Sequence, residues 1–258
     1  SPCARFQEPA NQVSLNHSRQ QTVRTMTFPD LSAPSADLDA ADLPAASLPA
    51  GGAELAAFIA GKLCHDFISP AGAIMSGLDL LEDPTAQDMR DDAMSLIRQS
   101  AKKLVAHVHF ARVAFGAATT SEQFASTELH GLVANLSEGG RAALDWRIAE
   151  GTTFTKPQAR ILINLAWMTL GALPTGGVAT ITARREDDRL LLLGSAEGNR
   201  ARLKPEAMTG LKGERLTEGL AGQWIQPYWL WLAVNEAGGR LDVAADEGRV
   251  GLIARMSN

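Results

Sequence analysis

His65-Asp66-Phe67-Ile68-Ser69-Pro70 is the stretch that decides how the rest of the chain reads. It lies inside residues 52–82, where Leu55, Phe58, Ile59, Leu63, Phe67, Ile68, Met75, Leu78 and Leu81 recur every three or four positions. That period predicts a helix with one apolar stripe. Pro70 interrupts it, and an internal proline removes a backbone hydrogen bond at about 3 kcal/mol. A helix keeps such a residue only where something offsets the loss. The context predicts an imidazole exposed on a helical hairpin and suited to carrying a phosphoryl group.

The second helix of that hairpin follows directly. Asp83-Pro84 reads as its start, with Asp83 as N-cap and Pro84 in the first helical position. Met89, Ala93, Leu96, Ile97, Leu104, Val108, Ala111 and Phe115 keep the helical period to about residue 115. Thirty residues at about 1.5 Å each make a rod of roughly 45 Å. Two such rods joined by a tight turn form an αα-hairpin. One hairpin cannot bury both apolar stripes against a single partner helix. Two hairpins paired as a four-helix bundle can, so a homodimer is expected.

The chain has 258 residues, 45% hydrophobic and 21% charged, the composition of a globular protein with room for a sizeable core. Its net charge of −5 argues against a nucleic-acid footprint. Cys3 and Cys64 lie far apart, so neither a disulfide framework nor a zinc site is expected, and a reducing cytoplasm fits. No apolar run reaches the roughly 18 residues that span a bilayer, and no basic-apolar signal pattern opens the chain. Residues 1–51, rich in Ser, Pro, Ala, Gln and Asp, read as a disordered extension, with Met26 a possible natural start.

Residues 116–127 are small and polar and read as a linker, with a hairpin unit at 52–116 and a second unit at 126–258. The second unit alternates. Helices are expected over 128–136, 157–172, 205–211 and 223–237. A strand is expected over 142–148, with hairpins of 178–184 against 189–194 and of 240–244 against 250–255. This pattern predicts an α+β chain whose second unit is a two-layer α/β domain with helices on one face of a mixed sheet.

The hexapeptide from His65 to Pro70 resembles the H-box of two-component histidine kinases. The order of elements after it resembles their ATP-binding Bergerat domain. Asn164-Leu165 with Ala172-Leu173-Pro174-Thr175-Gly176-Gly177-Val178 is similar to the N-box helix and its exit. Gly219-Leu220, ahead of a helix ending Asn235-Glu236-Ala237-Gly238-Gly239, is similar to the last glycine box. The nucleotide chemistry is missing. The position of the magnesium-holding asparagine is Met168, a soft thioether unsuited to a hard cation. The stretch matching the adenine-reading loop is Ser195-Ala196-Glu197-Gly198-Asn199-Arg200, without its aspartate. The glycine loop, Gly219-Leu220-Ala221-Gly222-Gln223-Trp224, runs into bulky Trp229 and Trp231.

An H-box on a dimeric hairpin beside a degenerate ATPase domain resembles the ChpT-type histidine phosphotransferases of alphaproteobacteria, and Leu63 to Asp83, LCHDFISPAGAIMSGLDLLED, is very similar to that family. The resemblance covers about residues 52–256. It implies a relay without ATP. The chain would take a phosphoryl group from the receiver of a CckA-type hybrid kinase and pass it to CtrA- or CpdR-type response regulators in cell-cycle control. Two other readings stay open: a docking module that holds receivers without taking phosphate, and an atypical kinase.

His65 suits acceptance because neutral imidazole is available near pH 7, with a free pKa of about 6.5. Asp66 is placed to orient it. Ser69, one turn on, is placed to tune hydrolysis. Ile68, Gly72, Ala73 and Ser76 form the expected receiver-docking face, small enough for a helix to approach. Arg200 and Arg202 are further candidates for an acidic receiver surface. No cofactor or metal is expected on this chain, and magnesium is expected from the receiver. His107 and His109, two apart, point away from each other and read as structural. Cys64 and His65, adjacent on a helix, do not face one another as a dyad. The tryptophans read as core or interface anchors.

Overall fold

The computed structural model describes residues 52–116 and 122–257. The expected extension at 1–51 and residues 117–121 of the expected linker lie outside them. Helix α1 (Gly52–Glu82) and helix α2 (Arg90–Ala114) pack against each other along the hairpin. Pro70 and Gly77 are the buried positions of α1. A Cβ on Gly77 would sit 2.6 Å from Ile97 Cγ1, so the glycine sets how closely the two helices approach. Ala93 and Ser100 are buried on α2.

The second helix starts later than the Asp83-Pro84 signal predicts. The amide and hydroxyl of Thr85 both donate to Asp83 Oδ1, each at 2.7 Å, and Gln87 Nε2 donates to Asp83 O at 2.9 Å. The hydroxyl and then the amide of Thr85 hold the Asp83 carboxyl below its ordinary pKa. These bonds satisfy the chain within a tight turn, and a short side chain that serves its own neighbours competes with helix propagation. A single 3-10 turn, Gln87–Met89, intervenes before α2 begins.

The C-terminal part runs β1 (Gln123–Ala125), α3 (Ser126–Ser137), β2 (Ala142–Trp146), β3 (Thr153–Thr155), α4 (Lys156–Gly171), β4 (Gly177–Glu186), β5 (Arg189–Glu197), α5 (Pro205–Leu211), α6 (Ala221–Glu236), β6 (Arg240–Asp246) and β7 (Arg249–Ser257). Five strands form a sheet in the order β2-β4-β5-β7-β6. The β2–β4 pair is parallel and the rest antiparallel, the mixed sheet expected. Along β5, Leu190, Leu192, Gly194 and Ala196 are buried in strict alternation, giving one core face. Helix α4 lies on that face and is set by a capping box, Thr155 with Gln158, and by Pro157. The short β1–β3 ladder, unexpected from sequence, brings buried Phe124 opposite buried Phe154. Three-residue strands are too short to show a period.

The hairpin packs on this domain through α2 against α3 and α4 and through α1 against α6, with two side-chain clusters at the junction. At one end, Ala114 O, in the last turn of α2, accepts from Asn164 Nδ2 at 2.9 Å and Trp229 Nε1 at 2.7 Å. Asn164 Nδ2 also donates to Arg160 O at 2.8 Å, and its Oδ1 accepts from Gln226 Nε2 at 3.2 Å. Three helices therefore meet at one fully buried amide. At the other contact, Phe58 of α1 meets Trp224 of α6 edge-on, 5.5 Å between centroids, with Leu55 and Ile59 packed on the same cluster. Arg215 pairs with Glu54 at 3.1 Å beside it.

Asn164→Ala should leave the Gln226 amide buried without its acceptor. An orphaned buried polar group costs about 1–3 kcal/mol. Urea denaturation of the variant should show a loss of that size, and an unchanged midpoint would contradict the assigned role.

Candidate functional site

His65 sits near the middle of α1 with its side chain 86% exposed. Its Nδ1 lies 3.3 Å from Asp66 Oδ1. Asp66 is tucked in, 21% exposed, and its other oxygen lies 2.5 Å from Lys62 Nζ. With a carboxylate at Nδ1, the Nε2 edge faces outward and is open to a partner. Ser69, Gly72 and Ser76 lie on the same exposed helix face, and no atom lies within 4 Å of where a Gly72 Cβ would stand. Ile68 stands at the edge of this face, 70% exposed, and Ala73 is half-buried. The structure thus brings His65, Asp66, Ser69, Ile68, Gly72, Ala73 and Ser76 onto one stretch of helix.

Arg200 and Arg202 are placed elsewhere. Both are exposed on the connection after β5, which is tied to the end of α4 by Arg202 N donating to Ala172 O at 2.8 Å.

Two residues near the site carry no signal in the sequence reading above. Lys62 pairs with Asp66 one turn away, and its i,i+4 spacing is the clue that was available. His107, expected to be structural, projects from α2 into the field of the same pair. Burial holds its imidazole below the ordinary histidine value; the Asp66 charge opposes this, while Lys103 and Lys62 reinforce it.

The region corresponding to a nucleotide site is built for other purposes. The Asn164 amide is spent in the buried junction, and Met168 is buried in the core. In the glycine loop, Leu220 N donates to Glu206 Oε1 at 3.3 Å, and a Cβ on Gly219 would lie 2.8 Å from the same carboxylate oxygen. The backbone N–H of Glu206 itself, and then that of Leu220, hold this carboxyl below its ordinary pKa. An internal acid is therefore bonded where a phosphate-cradling loop offers its N–H groups to nucleotide. Behind it, Trp224 is buried, stacked on Tyr228, and donates to Glu214 O at 3.0 Å. These residues do not fit magnesium-bound ATP.

A two-helix hairpin with an exposed histidine, followed by an α/β domain built on a five-stranded mixed sheet, is the class defined by this geometry. Comparison with known proteins narrows it. Residues 126–249 match the family described as "Histidine phosphotransferase C-terminal domain". The chain is 30% identical over 193 residues to protein phosphotransferase ChpT of Brucella abortus (strain 2308), spanning 74% of this chain and 90% of that one. It also superposes on the 1.7 Å structure of a bacterial phosphotransferase with a TM-score of 0.71, at 28% identity, over 80% of this chain and 98% of the other. The chain belongs to the ChpT family of histidine phosphotransferases. No described helix is long and apolar enough to cross a membrane.

The depressed His107 pKa has a consequence for stability. The folded chain binds this proton less readily than the unfolded chain does, so stability is fully present above the unfolded value of about 6.5 and is lost as pH falls towards the folded value. Thermal midpoints measured at about pH 7.5 and about pH 5.5 should show a smaller acid-side drop in His107→Gln than in wild type. Equal drops would contradict it.

Proposed function

We propose that the chain relays a phosphoryl group between receiver aspartates through His65 and does so without ATP. The observation that carries this is an open imidazole, backed by Asp66, on a fold whose nucleotide-facing groups are spent on internal bonds. In the transfer, the Nε2 lone pair of His65 attacks phosphorus. The N–P bond forms as the bond from phosphorus to the receiver's carboxylate oxygen breaks, and that carboxylate leaves with the electron pair. Asp66 holds the Nδ1 proton and opposes the positive charge that develops on the ring. Ser69, one turn below, is placed to govern loss of the group to water. The return step is the reverse.

The expected donor is the receiver of a CckA-type hybrid kinase, and the expected acceptors are CtrA- or CpdR-type regulators that control the cell cycle, in the cytoplasm. Their acidic pockets would supply magnesium. The small face at Gly72, Ala73 and Ser76, with Ile68 at its edge, supports helix docking. Arg200 and Arg202 are candidates for a second contact with an acidic surface.

Exchanging His65 for Ala should abolish acid-labile label transferred from a phosphorylated receiver while receiver binding persists. Label on that variant would refute His65 as the acceptor, and label-free binding by wild type would leave a docking module.

Met75 and Leu78 on α1, with Val105 and Val108 on α2, are large apolar side chains left exposed by the single hairpin. Their burial supports a homodimeric four-helix bundle, since each is worth about 1.5–3 kcal/mol when fully covered. Sedimentation should give a dimer for wild type and a monomer for Val105→Glu. A wild-type monomer would contradict the bundle.

A further inference from the structure

Lys62 has no part in that reading, yet it is the closest cation to the carboxylate behind His65. Its Nζ lies 2.5 Å from Asp66 Oδ2, and both side chains are mostly covered, 14% and 21% exposed. The two Asp66 oxygens are divided: Oδ2 meets Lys62 and Oδ1 meets His65 Nδ1 at 3.3 Å. The second contact is long, and His65 is exposed to water, so it orients the ring only if the carboxylate is itself held still. Lysine ahead of the acid is the weaker order for an i,i+4 pair on a bare helix. The pair is therefore held by partial burial as well as by helix spacing. His107 of α2 feels both charges of the pair, and that of Lys103 beside it.

The requirement on His65 is specific. Attack from Nε2 needs the ring proton on Nδ1, whereas a histidine side chain free in water favours Nε2–H. As the N–P bond forms, the ring becomes cationic and keeps its Nδ1 proton, which Asp66 faces. A mobile carboxylate would lose this alignment. An ammonium on its far oxygen prevents this.

We infer that Lys62 is a positioning residue for transfer: it pins Asp66 so that Asp66 holds the proton on His65 Nδ1 and leaves Nε2 free for phosphorus. The inference rests on the proposed function, and its test separates the two. The ¹⁵N spectrum of histidine-labelled full-length protein, recorded above the imidazole pKa of about 6.5, reports the tautomer directly. Wild type and Lys62→Arg should hold His65 mainly as Nδ1–H, and Lys62→Met should shift it towards Nε2–H. Methionine suits a helix and keeps the apolar stem, and circular dichroism should be unchanged. Transfer from a phosphorylated receiver should slow about tenfold in Lys62→Met, as expected for loss of one charge-assisted bond worth 1.4 kcal/mol. Adding Asp66→Asn should slow it little further, because the two residues act as one unit. A wild-type His65 found mainly as Nε2–H, a tautomer unmoved by Lys62→Met, or losses that multiply in the double variant would each overturn the inference. If wild type takes no label, the proposed function falls and the tautomer measurement still decides the role of Lys62.

Discussion

The bond from Asn164 to Ala114 O organises the rest of the molecule. It lies where α2 ends, where α4 passes beneath, and where α6 brings Gln226 and Trp229. A buried amide with both donors and its acceptor engaged is worth more intact than the sum of its bonds, because loosening one partner strands the others. Asn164 thereby fixes the angle between the hairpin and the α/β domain.

At the region expected to meet nucleotide, residues distant in sequence are bonded or packed within the fold. Asn164 is used in the junction, Met168 fills core, and Glu206 places an internal carboxylate against the glycine loop. Trp224 then packs against Phe58, so α6 serves as a clamp on α1. Each of these groups is used in packing or hydrogen bonding within the fold, and the proposed acceptor His65 stands clear of it.

Much of this was legible in the sequence because the signals were periodic or chemical. The helix through Leu55, Phe58, Ile59 and Leu63 follows from spacing alone, and so do the leucines of β5. His65 stood out through its neighbours Asp66, Ser69 and Pro70. The start of α2 was misread because Asp83-Pro84-Thr85 offers the same residues to a cap and to a closed turn, and only the Thr85 side chain decides between them. The β1–β3 ladder was invisible because each strand is three residues long. Lys62 is spaced i,i+4 from Asp66, but nothing in the sequence reports that the pair is covered. Arg200 and Arg202 were grouped with the nucleotide region by order in the chain; they belong to a connection held at the end of α4.

We infer that the groups at the expected nucleotide region are built into the fold. Calorimetric titration of magnesium-ATP into the wild-type protein decides this, and no saturable binding is expected at millimolar nucleotide. A saturable isotherm in the micromolar range would mean that Asn164, Met168 and Glu206 yield to ATP, and would contradict the claim.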